Sequence, residues 1–116
     1  MSTKILGMYG EGHAEKLLVK EGYNVIDKNF SCKVGEIDII AIKDGILVLV
    51  EVKTRRSLKF GLPEEAVTPK KLYKIKRTGE WYSAIHPELP KKIRIDVVSI
   101  LITDGIVARE KIIRVL

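Results

Sequence analysis

Residues 35–56 read GEIDIIAIKDGILVLVEVKTRR, and the fold turns on how this stretch is parsed. Asp44-Gly45 lies between two aliphatic, β-branched runs, Ile37 to Ile42 and Ile46 to Val52. A two-residue type I′ turn needs positive φ at both central residues, and Asp-Gly supplies this at little steric cost. The stretch therefore reads as a hairpin. Its two runs are apolar enough to be covered on both faces.

The turn sets an expected register. Lys43 opposes Ile46, Ile42 opposes Leu47, Ile40 opposes Leu49, Asp38 opposes Glu51 and Glu36 opposes Lys53. Alternation then brings Glu36, Asp38, Glu51 and Lys53 out on one face. Asp38–Glu51 is expected as a non-hydrogen-bonded pair, with Cα atoms about 4.5 Å apart. Opposed carboxylates repel at a cost of roughly 0.2–1 kcal/mol, and burial raises that cost. A divalent cation between them removes the penalty. Hard ions such as Mg²⁺ take carboxylate oxygens, phosphates and water. Lys53, one pleat beyond Glu51, is placed to hold a water or to neutralise charge on a phosphoryl group. The other reading of the same charges is an ordinary solvated hairpin end, with Glu36–Lys53 as a cross-strand ion pair.

Outward from the hairpin, residues 8–22 read as a helix with Ala14, Leu17 and Leu18 on its apolar face and Gly22 at C′. Glu11 falls at the border of that face, while His13 points away from it. Tyr23 to Asn29 reads as a strand that Phe30 to Val34 carries toward Gly35, giving a three-strand antiparallel meander. Residues 57–67 form a loop or short helix punctuated by Gly61 and Pro63. Thr68-Pro69 is a helix start, an N-cap followed by Pro in the first turn. Leu72, Ile75, Gly79 and Tyr82 mark the buried stripe of that helix. Lys70, Lys74, Arg77 and Trp81 line up opposite, with Lys71 beside them. Lysines in a first turn oppose the helix dipole, so they do not serve helix stability. A basic row ending in an indole suits a phosphate backbone with an exposed base to stack on; a solvated face is the alternative. Arg55 and Arg56 add positive charge at the strand exit. His86 is expected at the surface. Lys92 to Ile102 is a long strand, Asp104-Gly105 a second hairpin turn, and Ile106 to Val115 an edge strand.

The 116 residues suit one domain, 1–116, and a 46% hydrophobic content without a linker tract predicts a single core. A net charge of +6 favours an acidic partner, nucleic acid first. The lone Cys32 makes no internal disulfide and fits a reducing cytoplasm. No apolar run is long enough for a membrane span, and no signal-peptide h-region begins the chain.

An Asp on one strand followed by Glu-Val-Lys on the next resembles the active-site signature of the PD-(D/E)XK nuclease superfamily. The string GEIDIIAIKDGILVLVEVKTR resembles the YraN-like family of predicted nucleases more closely, and it is also similar to archaeal Holliday-junction resolvases. GEGHAEKLLVKEGY, PEEAV, the lysine-rich helix and RIDVV resemble the corresponding family segments, so the likeness covers nearly the whole chain. Ile95 departs from it, since the family pattern usually has an aromatic there. The resemblance implies that Asp38 and Glu51 hold Mg²⁺ (or Mn²⁺) with the backbone C=O of Val52. It also implies that Glu11 orients a metal-bound water and Lys53 positions the attacking one.

The order α-β-β-β-α-β-β predicts a restriction-endonuclease-like α/β fold, a mixed central sheet flanked by helices, with the second helix as the crossover. The expected function is Mg²⁺-dependent hydrolysis of phosphodiester bonds in DNA, selective for branched or single-stranded forms. Arg55, Arg56, Lys70, Lys71, Lys74, Arg77 and Trp81 are the residues expected to meet DNA. The reading excludes a membrane partner and admits a homodimer. Its alternative is a nucleic-acid-binding module that keeps the fold without significant cleavage.

Overall fold

The computed structural model describes residues 2–59 and 61–116. Its elements are α1 (Thr3–Lys20), β1 (Asn24–Ser31), β2 (Glu36–Lys43), β3 (Ile46–Arg55), a 3-10 turn (Pro63–Ala66), α2 (Pro69–Ile85), β4 (Ile93–Thr103) and β5 (Ile106–Arg114). The 3-10 turn occupies the expected loop 57–67, of which Phe60 lies outside the described residues. The strands form one sheet in the order β1-β2-β3-β4-β5. β3 and β4 run parallel and the other neighbours antiparallel. A parallel pair cannot be joined by a tight turn, and α2 makes the crossover. The mixed α/β architecture and the element order are those expected.

Both hairpin turns have the predicted backbone. Asp44 and Gly45 have φ of 51° and 73°, and Asp104 and Gly105 have 52° and 76°. Two apolar layers sandwich the sheet. On one side Leu6, Ala14 and Leu18 of α1 pack on Ile39, Ala41, Val48, Val50, Val98 and Ile100. On the other, Ile75 and Tyr82 of α2 pack on Ile40, Leu47, Leu49 and Ile95. Each helix approaches the sheet through a buried glycine. A Cβ on Gly10 would collide with the side chain of Thr54, and one on Gly79 with that of Leu49.

α1 begins at Thr3, five residues before the expected start at residue 8. Ser2 is its N-cap, accepting the Ile5 N–H at 3.1 Å. The extra turn puts Leu6 in the core and leaves Ile5, Met8 and Tyr9 exposed. Periodicity missed it because only Leu6 among residues 2–7 is buried and the cap is a single serine. The other end matches expectation. Gly22 has φ of 88°, and the Tyr23 and Gly22 N–H groups donate to Leu18 O and Val19 O. That is a Schellman closure. His86, expected at the surface, is half-buried and stacks on Tyr82 with centroids 4.2 Å apart. His13 pairs with Glu110 of β5.

Asp96 of β4 is 1% exposed and has a charged partner. Arg94 Nε donates to it at 3.0 Å, and the Tyr23 hydroxyl donates at 2.7 Å. Burial, followed by this bond to Asp96, pushes the Tyr23 phenol up to about 12. The network ties the exit of α1 to β4.

Gly10→Ala will lose about 1–3 kcal/mol to overpacking against Thr54, less up to about 1 kcal/mol regained in helix propensity. Adding Thr54→Ala will recover most of the loss, a non-additivity that urea denaturation measures. Additive effects would mean that the helix does not rest on Thr54.

Candidate active site

The β2–β3 ladder follows the expected register from Lys43–Ile46 to Ile39–Val50 and ends there. The expected pairs Asp38–Glu51 and Glu36–Lys53 do not form. Instead the strands part at Asp38, whose Oδ2 accepts the Val52 N–H at 2.8 Å. The carboxylate takes the place of a ladder carbonyl and satisfies a donor that the fork would orphan.

A reversal of faces accompanies the fork. Side chains two apart on a regular strand share a face. Ile39 nonetheless packs on the α1 side and Ile37 on the α2 side. The neighbouring strand reverses in step. Lys28, paired with Ile39, reaches Glu15 of α1, whereas Phe30, paired with Ile37, meets Tyr82 of α2 edge-on. Between them Asn29 sits in the left-handed region, φ 53°. Asn tolerates that conformation better than other residues with a side chain. The twist at Asn29 and Asp38 opens the sheet toward both helical layers.

The opening is a cavity of about 260 Å³ lined by Glu11, Glu36, Asp38, Glu51, Val52, Lys53 and Lys71, with neighbours from α1. All four expected catalytic residues therefore meet in one place, drawn from α1, β2 and β3. Glu51 is only 5% exposed. Burial pushes its carboxyl up to about 8, reinforced by a hydrogen bond and charge from Asp38 and opposed by Lys71 and Lys53. The charge of Asp38 thus reaches Glu51 across the fork. Glu11 is also raised, by burial and then by the charges of Asp38 and Glu36, with Lys28 opposing.

Two lining residues stand outside the four expected catalytic ones. Glu36 is one. The other is Lys71, expected beside the basic row, whose Nζ stands 3.3 Å from Glu51 Oε2. That oxygen is buried and accepts no hydrogen bond, so the ammonium supplies charge without a directed N–H. The sequence held a signal for Lys71: a first-turn lysine gains nothing from its own helix and so serves another partner. Lys70, Lys74, Arg77 and Trp81 lie exposed on α2 as expected, and Tyr73 joins them. Arg55 is half-buried at the end of β3, and Arg56 follows it. Beside the cavity, Glu64 of the 3-10 turn accepts from the Ser99 hydroxyl at 2.6 Å and from Arg109 at 3.1 Å. Arg109 holds this carboxyl down at about 2. Ser99 pairs with Lys53 across β3 and β4, so the contact pins the turn next to the site.

Among the described residues no three His, Cys, Asp or Glu side chains converge on one metal position. The donors expected for a metal are two carboxylates and the main chain at Val52. All are hard oxygens, which suits Mg²⁺ or Mn²⁺ held with water and phosphate. Glu51 Oε2, which accepts no hydrogen bond, is a buried acceptor such an ion would satisfy.

A mixed sheet flanked by helices, with a paired-carboxylate fork at one strand end, places the molecule in the α/β nuclease-like fold class. Residues 10–100 match the model of the Uncharacterised protein family UPF0102. The chain is 50% identical over 106 residues to a UPF0102 protein of Caldicellulosiruptor bescii, covering 90% of this chain and 88% of that one. It is 47% identical over 100 residues to one from Syntrophomonas wolfei, covering 86% and 87%. One from Dictyoglomus thermophilum is 41% identical over 103 residues, covering 89% and 87%. The chain belongs to the UPF0102 family, also known as YraN-like.

Glu51 binds its proton more tightly in the folded than in the unfolded chain. In EDTA its contribution to stability therefore falls as pH rises from about 4.5 toward 8. Glu51→Gln removes that titration. Urea melts will show the variant close to wild type at pH 5 and at least about 1 kcal/mol more stable at pH 8.5. A difference that does not change with pH would show that Glu51 is not destabilised by ionisation.

Proposed function

We propose that the protein is a divalent-cation-dependent nuclease that hydrolyses phosphodiester bonds in DNA, with branched or single-stranded forms as the preferred substrates. The observation that carries this reading is the nearly buried Glu51 beside Asp38 in a cavity also lined by Glu11 and Lys53. A fold gains nothing by burying Glu51 beside a second carboxylate. The pair makes sense as a cation site.

Asp38 and Glu51, with the Val52 carbonyl, would hold Mg²⁺ or Mn²⁺. When bound, the ion acidifies water and offsets charge on the scissile phosphate. Glu11 enters from α1 and accepts a hydrogen bond from water, orienting it. Lys53 carries a fixed positive charge beside Glu51 and positions the attacking water against the phosphate.

The exposed face of α2 supports DNA as the partner. Lys70, Lys74 and Arg77 offer charge to successive phosphates, and Trp81 and Tyr73 offer stacking surfaces to unpaired bases. Arg55 and Arg56 extend the basic surface at the end of β3. The net charge of +6 points the same way. None of the helices described is long and apolar enough to cross a membrane. The lone free Cys32 supports the reducing cytoplasm as the compartment.

Asp38→Asn keeps an oxygen for the Val52 N–H and turns an amide toward Glu51. In EDTA it will match wild-type stability or exceed it by up to about 1 kcal/mol. Mg²⁺ will raise the Tm of wild type but not of the variant, and cleavage of branched or single-stranded DNA will be lost. A wild type that binds DNA, ignores Mg²⁺ and Mn²⁺ and cuts nothing would make the protein a binding module with the nuclease fold. Replacing Lys70, Lys74 and Arg77 together by Ala will flatten the salt dependence of DNA binding by about 0.7–0.9 for each phosphate no longer neutralised. Unchanged binding would return this face to plain solvation.

A further inference from the structure

Lys71 is the third residue of α2, where its own N–H is capped by the Thr68 hydroxyl at 3.2 Å. Positive charge there opposes the helix dipole. The side chain nevertheless turns away from Lys70 and Lys74 and brings its ammonium to 3.3 Å from Glu51 Oε2. The facing oxygen belongs to a side chain that is 6% exposed and makes no hydrogen bond at that atom. The lysine side chain itself is 36% exposed and has a flexible four-carbon stem.

From this geometry, and resting on the proposed metal site, we propose that Lys71 is a placeholder cation. Its ammonium offsets the charge of the Asp38–Glu51 pair while no metal is bound, and a divalent ion taken up by Asp38 and Glu51 displaces it. Both cations seek the same carboxylate, and a doubly charged ion on Oε2 repels an ammonium beside it. The lysine is not a metal ligand, because an ammonium has donors only. Once displaced, it swings out at the start of the helix that carries Lys70 and Lys74. Metal uptake therefore adds one positive charge to the surface proposed to meet nucleic acid. Lys71 acts through Glu51 in the first state and is a positioning residue, coupling the cation site to the basic face.

The test is acetylation of the intact protein at low reagent dose. Mass spectrometry reads the rates at Lys71, Lys70 and Lys74, and Tm is measured on the same samples. In EDTA, Lys71 will react several-fold more slowly than Lys70, because an ion-paired ammonium is a poor nucleophile. Glu51→Gln will abolish that protection without any metal. Mg²⁺ alone will raise the wild-type Lys71 rate several-fold, leaving Lys70 and Lys74 unchanged, and will leave Asp38→Asn unaffected. A Lys71 rate in EDTA equal to that of Lys70, or one still slow in Glu51→Gln, would overturn the ion pair as the cause. A Tm rise with Mg²⁺ and no change at Lys71 would overturn displacement while leaving the metal site standing. No response to Mg²⁺ in either readout would overturn both.

Discussion

Two carboxyl groups that the fold would rather keep apart are the constraint on which this structure depends. Glu51 is almost fully withdrawn from water, and the charge of Asp38 stands against it. The pair is tolerated because Asp38 has a structural bond of its own, accepting the Val52 N–H where the β2–β3 ladder stops. Ending the ladder opens the sheet. The open end in turn gives the carboxylates a cavity instead of a core. Packing, hydrogen bonding and electrostatics thus converge on one backbone event, the twist at Asn29 and Asp38.

The surrounding layers serve that event. Gly10 lets α1 settle on Thr54, one residue beyond Lys53, and this brings Glu11 to the cavity. Gly79 lets α2 settle on Leu49, so the helix starts close enough for Lys71 to reach Glu51. The Glu64–Ser99–Arg109 contact holds the 3-10 turn against β4 beside Lys53. Arg94, Asp96 and Tyr23 perform a similar service at the other end of α1, without touching the cavity.

Much of this was legible from residue order. Asp44-Gly45 and Asp104-Gly105 announced both hairpins, since few other dipeptides satisfy two consecutive positive φ angles. The apolar runs of β2, β3 and β4 marked strands covered on both faces. Thr68-Pro69 marked the start of α2, and the paired acids pointed to one site. The start of α1 was not legible, because its first turns bury only Leu6. The fork was not legible either. Alternation assumes an unbroken strand, and the reversal between Ile37 and Ile39 depends on Asn29, a residue on a different strand. The partnership of Lys71 with Glu51 is a tertiary contact that a helical wheel cannot show. The wheel gave it a direction only within its own helix.

The central claim is that Asp38 and Glu51 exist to bind a divalent cation between β2 and β3. Crystals grown with Mn²⁺ and measured for anomalous scattering test it directly. The account predicts a single strong peak in the fork, about 2.0–2.2 Å from one oxygen of each carboxylate, with the Val52 carbonyl as a further ligand. A fork without a peak, or manganese bound only elsewhere on the surface, would contradict it.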